Sequence, residues 1–245
     1  MPRSILILGG THEALKIAEL LCNVDGFRII TSLAGRVKNP KTPAGELRLG
    51  GFGGVDGLAE YLKNEAIDLL IDVTHPFAEN ISKNAIAACE QTNIERLHFL
   101  RPEWKVEPED HWISVPDLNK AVEALSENAT VFLALGSQHL APFSKCKNIC
   151  FIARMIEPPN PTPEFTNLEI LIARPSNNLE VEIELLETHH ITHIVCRNSG
   201  GTGAWQKLLA ARKFQLPVIM IERPAAPAGK TFSNVEALIA SITGS

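Results

Sequence analysis

Continuous apolar runs, the helical stripes that alternate with them, and a restart of that alternation halfway along predict an α/β fold for this 245-residue chain. The expected form is two Rossmann-like parallel-sheet halves with a cleft between them. Ile5-Leu6-Ile7-Leu8 is apolar at every position and ends in Gly9-Gly10, as a strand buried on both faces would be. Ala14, Ile17, Ala18 and Leu21 then recur at helical spacing, predicting a helix over about residues 12–22. Arg28 to Ser32 reads as a second strand, followed by a Gly/Pro-rich loop to Gly54. Asp56 is positioned to cap a short helix carrying Leu58, Tyr61 and Leu62. Leu69 to Val73 is a third buried strand, Ile81 to Glu90 a helix and Leu97 to Leu100 a fourth strand.

The second half repeats the pattern. Strands are expected at Thr130–Leu135, Ile149–Ala153, Leu168–Ile172, Ile194–Cys196 and Val218–Ile221, with helices over Asn178–Thr188, Ala204–Phe214 and about Asn234–Ile242. The proline run from Pro158 to Pro163 reads as an extended loop. An echo links the halves. A strand runs into Thr74-His75-Pro76-Phe77, and a helix and strand later the chain reaches Arg101-Pro102. Another strand runs into Asn198-Ser199-Gly200-Gly201, and the same sequence of elements ends at Arg223-Pro224. Either the chain is an internal duplication, or this is the coincidence that any α/β chain yields. The duplication reading divides it into a dinucleotide-binding domain over 1–127 and an α/β domain over 128–245 that closes over the substrate.

Composition narrows the classes. Hydrophobic residues at 45% and charged residues at 21% exclude a disordered chain. A net charge of −5 argues against nucleic-acid coating and polybasic membrane binding. Cys22, Cys89, Cys146, Cys150 and Cys196 form no C-x-x-C pair, and the first apolar run is too short for an export signal or a membrane span. A soluble cytoplasmic protein with reduced thiols is expected.

Four loops attract attention. Gly9-Gly10-Thr11-His12-Glu13 joins a buried strand to a helix, where free backbone N–H groups and the helix dipole suit a pyrophosphate. The glycines allow close approach and Thr11 could donate from its hydroxyl, whereas Glu13 would repel a phosphate beside it. At the end of the second strand, Thr31-Ser32-Leu33-Ala34-Gly35-Arg36 contains no acid for ribose hydroxyls. Ser32 and Arg36 suit a 2′-phosphate, favouring NADPH over NADH. Gly50-Gly51-Phe52-Gly53-Gly54 fits a flap or a backbone surface against a flat ligand. Asn198-Ser199-Gly200-Gly201-Thr202-Gly203 resembles an anion nest, with Lys207 one turn into the following helix. His75, at a strand's C-terminal end, is a proton donor, a substrate contact or a structural histidine. His189, His190 and His193 lack a Cys or acidic partner at ligand spacing, so no metal site is expected.

Taken together, Ile7–Thr11, Ser32–Arg36, Gly50–Gly54, Asp72–Ala78, Arg101-Pro102-x-Trp104, Asn198–Gly201 and Arg223-Pro224 occur in an order that resembles the precorrin-6A reductase family of cobalamin biosynthesis, with its cobalt-precorrin-6A counterpart. One departure is Arg197, where the family more often has Lys. The resemblance implies reduction of one macrocycle double bond by hydride from NADPH (or NADH), with a proton delivered to the neighbouring carbon. It implies an acidic tetrapyrrole partner, which wants arginines and lysines for its carboxylates.

Cofactor candidates are then Gly9, Gly10, Thr11, Glu13, Ser32, Ala34, Gly35, Arg36, Gly51, Phe52, Gly53, Thr74, Asn198, Ser199, Gly200 and Gly201. Substrate candidates are His75, Pro76, Phe77, Arg101, Arg154, Arg197, Thr202, Lys207 and Arg223. The proton is expected from His75, Asp72 or a water they hold. No residue pattern reports whether the ligand carries cobalt. Two other classes compete: a reductase of a small metabolite, and a non-enzymatic nucleotide sensor. The first lacks a Tyr-x-x-x-Lys pair, since Tyr61 is followed four residues on by Glu65. The second leaves the Asn198 loop unexplained.

Overall fold

A computed structural model describes residues 2–35, 40–161 and 164–244. In chain order the first strands and helices are β1 (Arg3–Leu8), α1 (His12–Cys22), β2 (Phe27–Leu33), β3 (Glu46–Leu49), α2 (Val55–Asn64), β4 (Leu69–Asp72), α3 (Glu79–Thr92) and β5 (Glu95–Phe99). There follow β6 (His111–Val115), α4 (Leu118–Glu123), β7 (Thr130–Ala134), β8 (Cys150–Met155), β9 (Leu168–Ile172), α5 (Leu179–Thr188), β10 (His193–Arg197), α6 (Gln206–Lys213) and β11 (Pro217–Ile221). The chain closes with β12 (Thr231–Phe232) and α7 (Val235–Thr243).

Two parallel six-stranded sheets result, ordered β3-β2-β1-β4-β5-β12 and β9-β8-β7-β10-β11-β6. In each, five strands follow the order third, second, first, fourth, fifth, and the sixth strand flanks the fifth. That is the doubly wound order whose ligands bind at the carboxyl ends of the strands. The apolar run of β1 serves both faces of its sheet. Ile5 and Ile7 pack with Ala14, Ile17 and Leu21 of α1 and Leu238 of α7. Leu6 and Leu8 pack with Leu58 and Leu62 of α2 and with Ala85 and Ala88 of α3. In the second sheet, Phe132, Ile152, Ile194 and Met220 meet Ile183 and Leu186 of α5 and Leu208 of α6.

The strand exchange corrects the expected division. One compact unit comprises the chain through Pro102 together with the chain from Pro224, and the other is Glu103–Arg223. Each Arg-Pro therefore stands at a changeover. After Arg101-Pro102 the chain enters the second sheet as β6 beside β11, and after Arg223-Pro224 it re-enters the first as β12 beside β5. A boundary at 127 would separate β6 and α4 from their own sheet and α7 from its core. The echo in the sequence thus marks two like units that have traded their sixth strands.

Other differences are local. The loop expected up to Gly54 contains β3, a four-residue edge strand whose side chains are mostly exposed. The segments holding β6, α4 and β12 carry no long apolar run and gave no signal. Asp56 lies in the first turn of α2 while Gly54, at φ 99°, occupies the cap position without a side chain to cap it. Side-chain caps do start α1, α4, α5 and α7, from Thr11, Asp117, Asn178 and Asn234. Pro158 to Pro161 lie in neither helix nor strand, and Pro163 falls outside the described residues. Among the described residues, no helix is long and apolar enough to cross a membrane.

Candidate functional site

In the first unit, the candidates gather at the carboxyl ends of β1, β2 and β4. Gly9 is held by packing: a Cβ there would stand 3.0 Å from Thr31 Cγ2 and 3.1 Å from Leu33 Cδ2. Gly10 differs, with φ at +106° and no atom within 4 Å of a would-be Cβ, so the backbone before α1 faces open space. The Thr11 hydroxyl, expected to serve a ligand, is occupied internally. It accepts from Ala14 N at 3.2 Å and donates to the Val73 carbonyl at 2.7 Å, tying the start of α1 to the end of β4. Glu13 forms an ion pair with Arg101 at 3.0 Å, both side chains largely buried. Arg101 therefore answers the acid that would otherwise oppose a phosphate at this helix start. Thr11, Glu13, Thr74, Pro76, Phe99 and Arg101 line one small recess.

At the end of β2, Ser32 is buried and its hydroxyl accepts from Arg48 NH1 at 3.2 Å. Arg48, on β3, is not among the residues nominated from the sequence. Its guanidinium also donates to the carbonyls of Gly50 and Gly51 at 2.6 and 2.9 Å, and lies 3.7 Å over the Phe52 ring. Phe52 in turn meets Tyr61 edge to face at 5.2 Å, so part of the ring's surface is packed within the protein. Gly50 and Gly53, at φ +106° and +81°, use the left-handed region to shape this loop, and Gly51 is exposed. Ala34 and Gly35 are exposed beside it. Arg36 lies outside the described residues. A signal for Arg48 was present: a basic residue two positions before the Gly50-Gly51 pair, hidden because β3 itself was not recognised.

At the end of β4, Asp72 is fully buried. Its Oδ1 accepts from the Thr74 amide at 3.1 Å and the Thr74 hydroxyl at 2.7 Å. Its Oδ2 faces Arg96 NH1 at 3.8 Å, and neither atom has a hydrogen bond. Arg96 also donates to the Ala228 carbonyl, and His98 lies across from Asp72 in the strand register. A carboxylate so enclosed positions Thr74 and has no face to offer a substrate. His75 is half-buried, and its Nδ1 accepts from the Phe77 amide at 3.3 Å, which places the ring proton on Nε2. Phe77 keeps its ring centroid 5.8 Å from that of His75.

The second unit builds a different site from Asn198 onward. Asn198 is buried and grips one residue at both ends of its amide, accepting from Trp104 N at 2.9 Å and donating to Trp104 O at 3.0 Å. The Trp104 indole donates to the Gly201 carbonyl at 2.7 Å, and Arg223 Nε donates to the Asn198 carbonyl at the same distance. Gly200 and Gly201 take φ of +64° and +68°, the left-handed region that glycine enters without strain, and turn the loop there. The Ser199 amide donates to Arg197 O at 2.7 Å, and Thr202 is exposed. Arg197 reaches the ring of His139 at 3.0 Å.

Two expected carboxylate holders are internal. Arg154 pairs with Glu182 at 2.6 Å, with both side chains buried. Lys207 donates to Ala204 O at 2.7 Å and lies 4.6 Å over the Trp104 ring, and burial pushes its ammonium below the ordinary 10.5. Both are buried. Gly136 and a 3₁₀ turn over Ser137–His139 follow β7, where the first unit has Gly10 and the full helix α1. The helix start suited to a pyrophosphate is thus a feature of the first unit.

Comparison with known proteins agrees with this arrangement. Residues 4–243 match the family model described as precorrin-6x reductase CbiJ/CobK. The chain is 43% identical to the precorrin-6A reductase of Rhodobacter capsulatus over 96% of its length and 94% of that protein's. It is 41% identical to that of Rhodococcus erythropolis, over 96% of both chains. Identity to the cobalt-precorrin-6A reductase of Methanocaldococcus jannaschii is 27%, again over 96% of both. A solved structure of CobK precorrin-6A reductase superposes with a TM-score of 0.93 at 42% identity, covering 99% of this chain and 96% of that one. A whole-length match to the family model, relatives above 40% identity and a shared fold place the chain in the precorrin-6x reductase family, whose members are oxidoreductases acting on a C=C bond of a macrocycle.

Proposed function

We propose that this chain reduces cobalt-free precorrin-6A with NADPH. The observation that carries the substrate choice is the identity gradient: 43% and 41% to proteins named precorrin-6A reductase, against 27% to a cobalt-precorrin-6A reductase. The cofactor choice is supported by the end of β2, where Ser32 and the Arg48 guanidinium stand in place of the acid that a NAD-selective site uses.

The first unit fits a dinucleotide on an observation of its own. Gly10 leaves open space before the first turn of α1, where free amides and the helix dipole favour a pyrophosphate. Arg101 neutralises Glu13 at that helix start, where both line the same small recess. When bound, the nicotinamide supplies the hydride. The protein's own work is orientation and proton delivery. Asp72 fixes Thr74 by two hydrogen bonds, and the next residue, His75, holds through its Nε2–H a water that delivers the proton to the carbon beside the one reduced, the hydroxide left behind accepting that N–H. The Ser199–Thr202 loop, with Arg197 and Arg223, receives substrate carboxylates, while Asn198 and Trp104 hold the loop in shape. Five free cysteines suit the cytoplasm.

The test is an anaerobic assay with precorrin-6A and its cobalt form, each with NADPH and NADH, following nicotinamide absorbance and the macrocycle spectrum together. Coupled changes, fastest for precorrin-6A with NADPH, are expected. Faster turnover of the cobalt form would overturn the substrate choice, and faster turnover with NADH the cofactor choice.

A further inference from the structure

The geometry points to Arg48 as the residue that makes the cofactor site specific for a 2′-phosphate. The inference rests on the NADPH reading above and assigns its selectivity to one side chain that neither sequence periodicity nor a known motif singles out.

Placement comes first. β2 and β3 pair in parallel, with Ser32 opposite Arg48 in the register. Arg48 therefore rises at the strand end where a doubly wound sheet recognises the adenosine ribose, beside the residue that occupies the usual acid's place. NH1 lies 3.2 Å from the Ser32 hydroxyl, so a phosphate bound by Ser32 would also meet the guanidinium.

Charge comes second. Among the described residues, the hydrogen-bond partners of Arg48 are neutral: one hydroxyl and the carbonyls of Gly50 and Gly51. The acid on the same strand, Glu46, is engaged by Arg28, which contacts its two oxygens at 2.8 Å each. Among the described residues, no carboxylate hydrogen bond thus compensates the Arg48 charge, and Ala34, Gly35 and Gly51 beside it are exposed. A structural arginine bridging two strands would more economically face an acid, as Arg28 does with Glu46 and Glu65.

Rigidity comes third. The guanidinium is stacked 3.7 Å over Phe52, with Tyr61 5.0 Å away, and pinned by two carbonyls. A planar fork held in advance loses little side-chain entropy when a phosphate arrives, which is the condition for a strong charge-assisted contact.

The test measures binding of 2′,5′-ADP and 5′-AMP by calorimetry to the wild type, Arg48→Met and Arg48→Lys. The same proteins are assayed for kcat and KM with NADPH and NADH. Wild type should prefer 2′,5′-ADP. Arg48→Met should lose roughly 10- to 100-fold of its affinity for 2′,5′-ADP while holding 5′-AMP within about 3-fold, the scale of one charged hydrogen-bonded contact. The kinetic counterpart is a raised KM for NADPH with kcat preserved. Arg48→Lys, which keeps charge but not the fork, should fall between and serves as the readout if the Met variant fails to fold.

Equal losses for both nucleotides would make Arg48 a strut of the glycine loop and overturn the assignment. So would an unchanged 2′,5′-ADP preference in the variants, leaving the NADPH reading intact. A wild type without that preference would overturn both.

Discussion

Asn198 shows how a residue chosen for ligand chemistry can instead serve the frame around the ligand. Its side-chain amide satisfies both backbone groups of buried Trp104, whose indole then fixes the Gly201 carbonyl in the turn beyond. Alanine at 198 would leave a buried N–H and a buried C=O without partners, each a desolvated group with nothing in exchange. The expected cost is on the order of 2–4 kcal/mol, read as a lower urea midpoint at unchanged slope. Because the loss falls on the second unit's loop, KM for the macrocycle should rise while the affinity for nicotinamide dinucleotide stays as in wild type. A variant as stable as wild type would show that Trp104 is held by other means. Glu13 and Arg101 make the same point in the first unit, since residues nominated separately for cofactor and substrate turn out to be one ion pair.

At the scale of elements, the seam between β4 and β5 buries a histidine whose titration links stability to pH. His98 is buried opposite Asp72, close to Arg96, and its Nδ1 lies 3.5 Å from the Thr231 hydroxyl of β12. Burial pushes its imidazole below the ordinary 6.5, Asp72 opposes that push and Arg96 adds to it. As pH falls below about 6.5 the unfolded chain therefore takes up the proton before the folded one does, and stability declines until the folded ring also protonates. Above that range the contribution is fully present. His98→Phe should flatten the fall in unfolding free energy between about pH 7.5 and 5.5, measured by urea titration. His193, shifted the same way by burial, leaves a residual slope in the second unit. An unchanged profile in the Phe variant would remove His98 from the account.

The sequence was legible where burial is uniform. β1, β4, β7 and β10 are apolar runs, and α1 and α5 carry clear stripes with Thr11 and Asn178 at their starts. β3, β6 and β12 are short edge strands with partly exposed side chains, so hydrophobicity has little to report there. That gap hid Arg48, because a side chain cannot be placed at a strand end until the strand is known. The burial of Asp72, Arg154 and Lys207 was not legible for a different reason. Charged residues are seldom buried, and only tertiary pairing reveals those that are.

For the whole molecule, the exchange of sixth strands makes the first unit discontinuous and the second continuous. The final segment supplies β12, where the Phe232 carbonyl and that of the preceding Lys230 accept from the Leu100 and His98 amides, and α7, which buries Val235, Leu238 and Ile242 against the α1 face. Three buried aliphatic side chains at roughly 1.5–3 kcal/mol each amount to a large part of the ~5–15 kcal/mol that holds a domain together. A chain ending at Arg223 should therefore lose the cooperative unfolding of its first unit, with rapid proteolysis confined to residues before 103. The second unit, whose six strands all lie within Glu103–Arg223, should keep its protection. Joining residues 1–102 to 224–245 through a Gly/Ser linker should restore a cooperative transition to the first unit, because all six of its strands are then in one chain. Failure of that fusion to fold, beside a stable 103–223 fragment, would mean that the first unit depends on the second for more than chain connection. Cooperative folding of residues 1–102 alone would mean that the returning strand and helix are dispensable to its core.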